Sequence, residues 1–314
     1  MKAYVLNEPG APENLHLQDI EKPKPEKNQV LVKVKAISIN PVDTKTRDGK
    51  AFYGAIKDEP PVIVGWDISG EVVATGDDVE YFKEGDEVFG MVNFPGHGRA
   101  YAEYVLSPES HLAHKPSGVS HEEAAAATLA ALTAWQVLVQ QANIQPGQRV
   151  LIHAAAGGVG HYAIQITKYF KAYVIGTASA AKHAFIKGLG ADEQIDYRET
   201  KVEEEVKDID IVLDSLGEEN SLRSLKTLKD GGTLVSILGG AKESVQEKAK
   251  ERNIEAKNYL VQSSGEDQTK LADLMREGAL QSHVSHVFPF AEMAKAHRQV
   301  ETRKTKGKVV VVLD

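Results

Sequence analysis

The sequence predicts an α/β protein in which a parallel, doubly wound sheet is joined to a β-rich part. Three observations carry this. Strand and helix signals alternate through residues 149–238; a short apolar strand, Leu151-Ile152-His153-Ala154, runs into a glycine turn and then a helix; and the first third reads as short strands separated by Gly, Pro and Asp. Repeated β-α-β order implies parallel strands joined by crossover helices. At 314 residues the chain exceeds what one hydrophobic core usually organises, so more than one domain is expected.

The elements follow in order. Val30, Val32, Val34 and Ala36 alternate with Leu31, Lys33 and Lys35, the period of a half-buried strand. Further runs at residues 68–74, 87–92 and 102–106, with breakers at Pro23-Lys24-Pro25, Pro60-Pro61 and Pro95-Gly96, predict a small, irregular barrel. Ser120 followed three residues later by Glu123 predicts a capping box, opening an alanine-rich helix through Leu129, Leu132 and Trp135. After the strand at 149–154, Val159, Ala163, Ile166 and Phe170 share one face of a helix. Then come a strand at 173–175, a helix around Phe185 and Leu189, strands at 194–197 and 209–213, a helix through Leu222, Leu225 and Leu228, and a strand at 233–238. Residues 254–261 predict one more strand at the sheet's outer edge, 269–278 a helix, and 308–313 an apolar strand returning to the N-terminal part. The expected domains are therefore 1–122, 123–262 and the returning segment 263–314. Such an insertion leaves a cleft between domains, where ligands usually sit.

Composition narrows the function. Hydrophobic residues at 42% and charged residues at 26% are ordinary for a soluble globule. The N-terminus has no signal pattern and no run of about 18 apolar residues occurs, so a cytoplasmic protein without a membrane span is expected. With no cysteine, disulfides, thiolate nucleophiles and thiolate zinc sites are excluded. A formal charge of −8 opposes nucleic-acid binding. The basic run Arg303-Lys304-Thr305-Lys306-Gly307-Lys308 reads as a solvated turn before the final strand.

Ala155, Gly157 and Gly160 occupy the three positions of G-x-G-x-x-G, with alanine for the first glycine. Such a turn admits a pyrophosphate; taken alone, it also serves to pack a helix tightly on a strand. About 20 residues on, where an NAD site carries an acid for the ribose hydroxyls, stands Gly176-Thr177-Ala178-Ser179. Ser179 and Lys182 there suit a 2′-phosphate, so NADPH is expected; the alternative for Lys182 is an ordinary exposed helix lysine.

The chain resembles the medium-chain dehydrogenase/reductase superfamily, in its zinc-free quinone oxidoreductase branch. The likeness rests on Ser38-Ile39-Asn40-Pro41-Val42-Asp43, Gly65-Trp66-Asp67-Ile68-Ser69-Gly70-Glu71-Val72, Gly85-Asp86-Glu87-Val88-Phe89-Gly90, Ala130-Ala131-Leu132-Thr133-Ala134-Trp135 and residues 153–160. Gly190-Ala191-Asp192 before Ile195-Asp196-Tyr197, and Val212-Leu213-Asp214-Ser215-Leu216-Gly217, extend it over essentially the whole chain. It implies a GroES-like catalytic domain around a Rossmann-type sheet. Asn40 stands where the zinc-dependent branch has a cysteine ligand, Val42 where it has a proton-relay hydroxyl, and Gly65-Trp66-Asp67 where it has Gly-His-Glu, so no metal is expected. Of the eleven histidines, His283 and His286 are close in sequence but lack a third ligand at usable spacing.

Without a Lewis acid, the resemblance implies acceptors that are already electrophilic, a quinone or an α,β-unsaturated carbonyl. It sets Asn40 and Asp43 at the nicotinamide end, where turn chemistry is the competing role. Tyr53 is the candidate acceptor-binding hydroxyl, or else an aromatic wall. Thr133 falls near the nicotinamide; Ala156, Gly157, Gly158, Val159 and Gly160 against the pyrophosphate; Ser179, Lys182 and Tyr197 by the adenosine phosphate; and Leu216, Gly217 and Gly239 at strand ends beside the cofactor. The open edge at 254–261 predicts a homodimer. A nucleotide-binding module without turnover, a sensor or an RNA binder, is the alternative function.

Overall fold

Strand β1 (Lys2–Leu6) pairs antiparallel with β2 (Leu15–Asp19). The alternating run then forms β3 (Gln29–Ile39), in which Val30, Val32 and Val34 are buried while Lys33 and Lys35 stay half-exposed, as a period of two requires; Leu31, expected on the half-exposed face, is buried as well, where the register against the next strand in the sheet shifts between Leu31 and Val32. Helices α1 (Pro41–Arg47) and α2 (Tyr53–Ile56) follow, then β4 (Asp67–Thr75), β5 (Glu87–Met91), β6 (Tyr104–Pro108) and β7 (Leu112–His114). Helix α3 (His121–Ala126) begins at the expected capping box. The Ser120 hydroxyl accepts from the Glu123 N–H at 3.2 Å, and the Glu123 carboxylate accepts from the Ser120 N–H at 3.0 Å. Its small side chains permit close packing, so that Ala125 and Ala126 meet Ala36 of β3 and Val310. The long helix expected beyond is broken instead. Thr128 donates to the Ala125 carbonyl at 2.7 Å, α4 (Leu129–Trp135) starts anew, and residues 136–141 widen so that Ala142 donates to Val137.

The alternating region builds β8 (Arg149–Ile152), α5 (Gly158–Tyr169), β9 (Tyr173–Ala178), α6 (His183–Gly188), β10 (Glu193–Asp196), α7 (Val202–Glu205) and β11 (Ile209–Asp214). It continues through α8 (Glu218–Ser224), β12 (Leu228–Ser236), α9 (Glu243–Lys250) and β13 (Glu255–Asn258). The six strands are parallel, in the order β10-β9-β8-β11-β12-β13, and the direction of winding reverses between β8 and β11. Strand β13 takes the predicted edge. In α5, Ala163 and Ile166 are buried as expected, but so are Tyr162, Ile164 and Thr167, because the helix packs both on the sheet and on residues 136–141. Leu228, expected on a helix, opens β12: α8 stops at Ser224, whose carbonyl accepts from the Thr227 hydroxyl at 2.8 Å.

The returning chain forms α10 (Gly265–Arg276), β14 (Val284–Pro289), α11 (Met293–Glu301) and β15 (Lys308–Val312). Helix α10 starts earlier than expected because Ser264 caps it, accepting from the Asp267 N–H at 3.1 Å. Strand β14, half-exposed and without clean alternation, was not foreseen. The final apolar strand rejoins the N-terminal part: β15 lies between β3, antiparallel, and β14, parallel. This completes the order β14-β15-β3-β4-β5-β7, with β6 on β3.

A computed structural model describes residues 1–313 of the chain. They divide into two compact units, one of Met1–Leu132 with the chain from Val261 onward, the other of Thr133–Leu260. Because α3 packs on β3, β4 and β15, the first unit runs past residue 122. No helix among the described residues is long and apolar enough to cross a membrane. Replacing Ser120 with Ala should lower the stability of the first unit by about 1 kcal/mol, and Ser120→Gly by only a few tenths. Denaturant unfolding measures both; equal midpoints for Ser120→Ala and the parent would count against the cap.

Candidate active site

In the second unit, steric constraints shape the turn after β8. Ala154 has φ of +49°, and its carbonyl accepts from the Gly157 N–H at 2.9 Å. A Cβ at position 160 would lie 2.5 Å from that carbonyl oxygen and 2.6 Å from Ala155 Cα, so only glycine lets α5 approach so closely. The alanine that replaces the first glycine is accommodated from β9: a Cβ at Gly176 would come within 3.0 Å of the Ala155 methyl. Gly157 caps α5, Gly158 and Val159 are half-exposed in its first turn, and Ala156 and Gly160 are buried. The first N–H groups of a helix lack intrahelical acceptors, which makes such a terminus a seat for phosphate.

Beside it, at the carboxyl ends of β8 to β11, opens a cavity of about 140 Å³, lined among others by His153, Thr177, Tyr197, Leu216, Asn220 and Arg223. Its rim is anchored by Asp214, which is fully buried. The carboxylate accepts from the N–H groups of Leu216 (3.1 Å) and Gly217 (3.2 Å), from Asn220 Nδ2 (2.8 Å), and from the hydroxyls of Ser221 (2.8 Å) and Ser236 (3.0 Å). This holds Gly217 at φ +104° and leaves Leu216 exposed. Gly239 is an exposed left-handed turn residue after β12. A turn that a Cβ would fill and a cavity where the winding reverses together fit a dinucleotide.

His153 joins this wall. Ser224 donates its hydrogen to the Asn220 carbonyl at 2.8 Å, so His153 Nε2 must be the donor in its 2.9 Å contact with Ser224 Oγ, and Nδ1 faces the Thr177 hydroxyl at 3.3 Å. Burial pushes its pKa down to about 4, against a smaller upward pull from Asp214. Ser179 is buried and Lys182 half-buried, Lys182 N donating to the Ser179 carbonyl at 2.8 Å; Tyr197 is 54% exposed with Arg198 over its ring. One feature escaped sequence reading. Asp196 pairs in register with Ala178, and its carboxylate accepts from the N–H groups of Ala180 (2.7 Å) and Arg198 (2.9 Å). A carboxyl thus reaches the end of β9 from the neighbouring strand, and it is spent on backbone that carries Ser179 and Lys182. Thr133, at the start of this unit on α4, is buried.

In the first unit, Asn40 and Asp43 meet at the start of α1, where the Asn40 N–H donates to Asp43 Oδ2 at 2.8 Å. The hydroxyl against Asp43 is that of Tyr101, at 3.0 Å from Oδ2, rather than that of Tyr53, which opens the short α2 and is half-buried. Tyr101 also contacts His297 Nε2 at 2.9 Å; Arg47 lies 3.4 Å from His297 Nδ1 and donates to Glu301 at 2.6 Å. Neither Tyr101 nor His297 had a sequence signal, since they reach this point from a loop and from α11. Phe52, the residue before Tyr53, forms an edge-on cluster with Trp66 and Phe94, with ring centroids 4.9 to 6.1 Å apart.

Lys308 corrects the sequence reading of a solvated basic turn. The side chain is 3% exposed, and its ammonium donates to Asn40 Oδ1 and sits 4.0 Å from Asp67 Oδ2. Because Val309 pairs with Ile39, the residue before it falls beside Asn40, inside the sheet end rather than in the loop. Asn40 Nδ2 in turn donates to Asp67 Oδ2 at 2.6 Å.

A doubly wound parallel sheet with a glycine turn after its first strand, inserted in sequence into a largely antiparallel β unit, defines a class of two-part dehydrogenases and reductases. An alcohol dehydrogenase GroES-like domain model matches residues 26–117, and a zinc-binding dehydrogenase model matches residues 189–311. The chain is 34% identical to an NADPH-dependent alkenal/one oxidoreductase, chloroplastic, of Arabidopsis thaliana, over 99% of this chain and 79% of that one. The structure of a quinone oxidoreductase from Coxiella burnetii superposes with a TM-score of 0.94 at 39% identity, covering 100% and 99% of the two chains. An Escherichia coli quinone oxidoreductase complexed with NADPH gives 0.88 at 28% identity, covering both chains fully at 100%. The chain belongs to the medium-chain dehydrogenase/reductase superfamily, in its quinone oxidoreductase branch.

Zinc, which one of these models names, does not fit the residues present. Trp66 Nε1 donates to the Gly96 carbonyl at 2.7 Å, both ends of the Asn40 amide are engaged by Lys308 and Asp67, and among the described residues no three His, Cys, Asp or Glu side chains group to hold a metal.

The state of His153 has a stability consequence. Its folded pKa lies below the unfolded value of 6.5, so the unfolded chain takes up the proton first as pH falls. The stabilisation from neutral His153 is complete above about pH 6.5 and is lost as pH falls toward about 4, by about 3 kcal/mol. Denaturant midpoints across that range should fall more steeply for the parent than for His153→Gln. Parallel slopes would remove this assignment.

Proposed function

We propose that the chain is an NADPH-dependent, metal-independent reductase that delivers hydride to a quinone or an α,β-unsaturated carbonyl. The observation that carries this is the clasp at the first unit's sheet end: where the zinc-dependent branch has ligands, an ammonium, an amide and a carboxylate are bonded to one another. With no Lewis acid to polarise a simple carbonyl, acceptors that delocalise the incoming charge themselves are favoured. The names of the alkenal and quinone oxidoreductase relatives support the same acceptor class.

NADPH, when bound, supplies the hydride. The backbone of Ala156, Gly157, Gly158, Val159 and Gly160 would hold its pyrophosphate at the start of α5. Ser179 and Lys182 would take the 2′-phosphate, Tyr197 and Leu216 would flank the adenosine half, and Gly217, Gly239 and Thr133 would leave room toward the nicotinamide. Asn40, Asp43 and Tyr53 are assigned to the acceptor end, with Asn40 held in one orientation by Lys308 and Asp67.

NADPH oxidation is expected with a quinone, a medium-chain enone or an alkenal, and the comparison of the three ranks the acceptors. Absence of turnover with all of them would leave a nucleotide-binding module and sink the enzyme reading. Titration should show NADPH bound more tightly than NADH. Lys182→Ala should cost roughly 1.5 to 3 kcal/mol of NADPH binding, tenfold or more, and leave NADH binding unchanged. Equal affinities for the two nucleotides would refute the phosphate assignment.

A further inference from the structure

Two buried carboxyls beside a single ammonium cannot both carry charge cheaply, and hydrogen-bond directions identify which one does. Lys308 has three hydrogens and three acceptors within reach: Asn40 Oδ1, the Ile39 carbonyl at 3.5 Å and Asp67 Oδ2 at 4.0 Å. Asp67 receives hydrogens at both oxygens, from Asn40 Nδ2 on Oδ2 at 2.6 Å and from the Leu129 N–H on Oδ1 at 3.0 Å. Burial pushes this carboxyl up, while Lys308, Asn40, Thr128 and Leu129 all pull it down. Donors at both oxygens mark it as the carboxylate that balances Lys308.

Asp43 is served differently. Its Oδ2 accepts from the Asn40 N–H and the Tyr101 hydroxyl, whereas Oδ1 is buried without a hydrogen-bond partner among the described residues. The direction at Oδ2 is dictated from the far end of the network. Arg47 can only donate, so His297 Nδ1 accepts and Nε2 carries the ring hydrogen. Burial, then Arg47, holds the His297 pKa down near 3, so the ring stays neutral. Nε2–H must therefore point at the Tyr101 oxygen, which leaves the tyrosine hydrogen for Asp43 Oδ2. Any hydrogen on Asp43 belongs on Oδ1. Without it, Oδ1 would be a bare anionic oxygen in a cluster whose two cations, Lys308 and Arg47, are already matched by Asp67 and Glu301.

We infer that Asp43 stands as a neutral carboxylic acid with its hydrogen on Oδ1, held in that state by burial beside the Lys308–Asp67 pair. The charged and titratable groups facing it are Asp67 on β4, Lys308 on β15, Tyr101 before β6, His297 and Glu301 on α11, and Arg47 on α1. Burial, with Asp67 second, pushes the Asp43 carboxyl up to about 8.

The protonation state is read without cofactor or substrate. Infrared spectra of the full chain at neutral pH should contain the carbonyl band of a protonated, buried carboxylic acid, and Asp43→Asn should remove it. Asp67→Asn leaves Lys308 facing Asp43 without its counter-charge, so Asp43 should ionise at least about one pH unit lower and the band should lose about half its intensity or more at pH 7. Asp67→Asn/Lys308→Met removes both charges, burial is then the largest influence, and the band should return. A band that survives Asp43→Asn, or that is indifferent to Asp67→Asn, overturns the assignment. Should Asp67→Asn not fold, stability decides instead. The folded pKa of Asp43 lies above its unfolded 3.8, so the unfolded chain loses the proton first and the parent loses stability as pH rises from about 4 to about 8. Asp43→Asn should not follow this slope, and equal slopes would overturn the proposal.

Discussion

The pairing of β15 with β3 is the constraint on which the first unit depends. A sheet begun by residues 29–39 is completed only by residues 308–312, so everything between must leave and return to within one strand spacing. That closure brings Lys308 to the end of β3, beside Asn40 and opposite Asp67. An ammonium buried there must be matched, and the matching sets the orientation of the Asn40 amide. Secondary structure, charge balance and site geometry are here a single problem.

The second unit is governed by closeness of approach. Gly160 exists because α5 crosses the turn after β8 with no space for a Cβ, and Gly176 exists because Ala155 needs room for its methyl. Asp214 then collects five donors to shape the next strand end. These are short-range demands, and they place the start of α5 and a cavity side by side at the point where the winding reverses.

Much of this was legible beforehand where the physics is local. The Ser120–Glu123 box, the alternation in β3 from Val32 to Ala36, the glycine turn and the β-α-β order each lie within a few residues of sequence, and each appears as read. Failures came where packing overrode local pattern. Helix α5 is buried beyond its apolar stripe because it is covered on two sides, and Leu228 left its helix because α8 ended in a side-chain bond at Ser224.

The sequence by itself determined the fold class and the glycine turn, which depend on residue type and spacing, and through the family resemblance it set Asn40, Val42 and Trp66 where the zinc-dependent branch has other side chains. Tertiary structure alone decided that Lys308 is a buried counter-ion rather than a surface lysine, that Asp196 approaches the end of β9 from β10, and that Tyr101 and His297 converge on Asp43. These residues are separated by tens to hundreds of positions and share no motif. What unites Lys308, Tyr101, His297 and Asp43 is the need to satisfy charge and hydrogen bonds in a buried space, a requirement that exists only once the chain has folded.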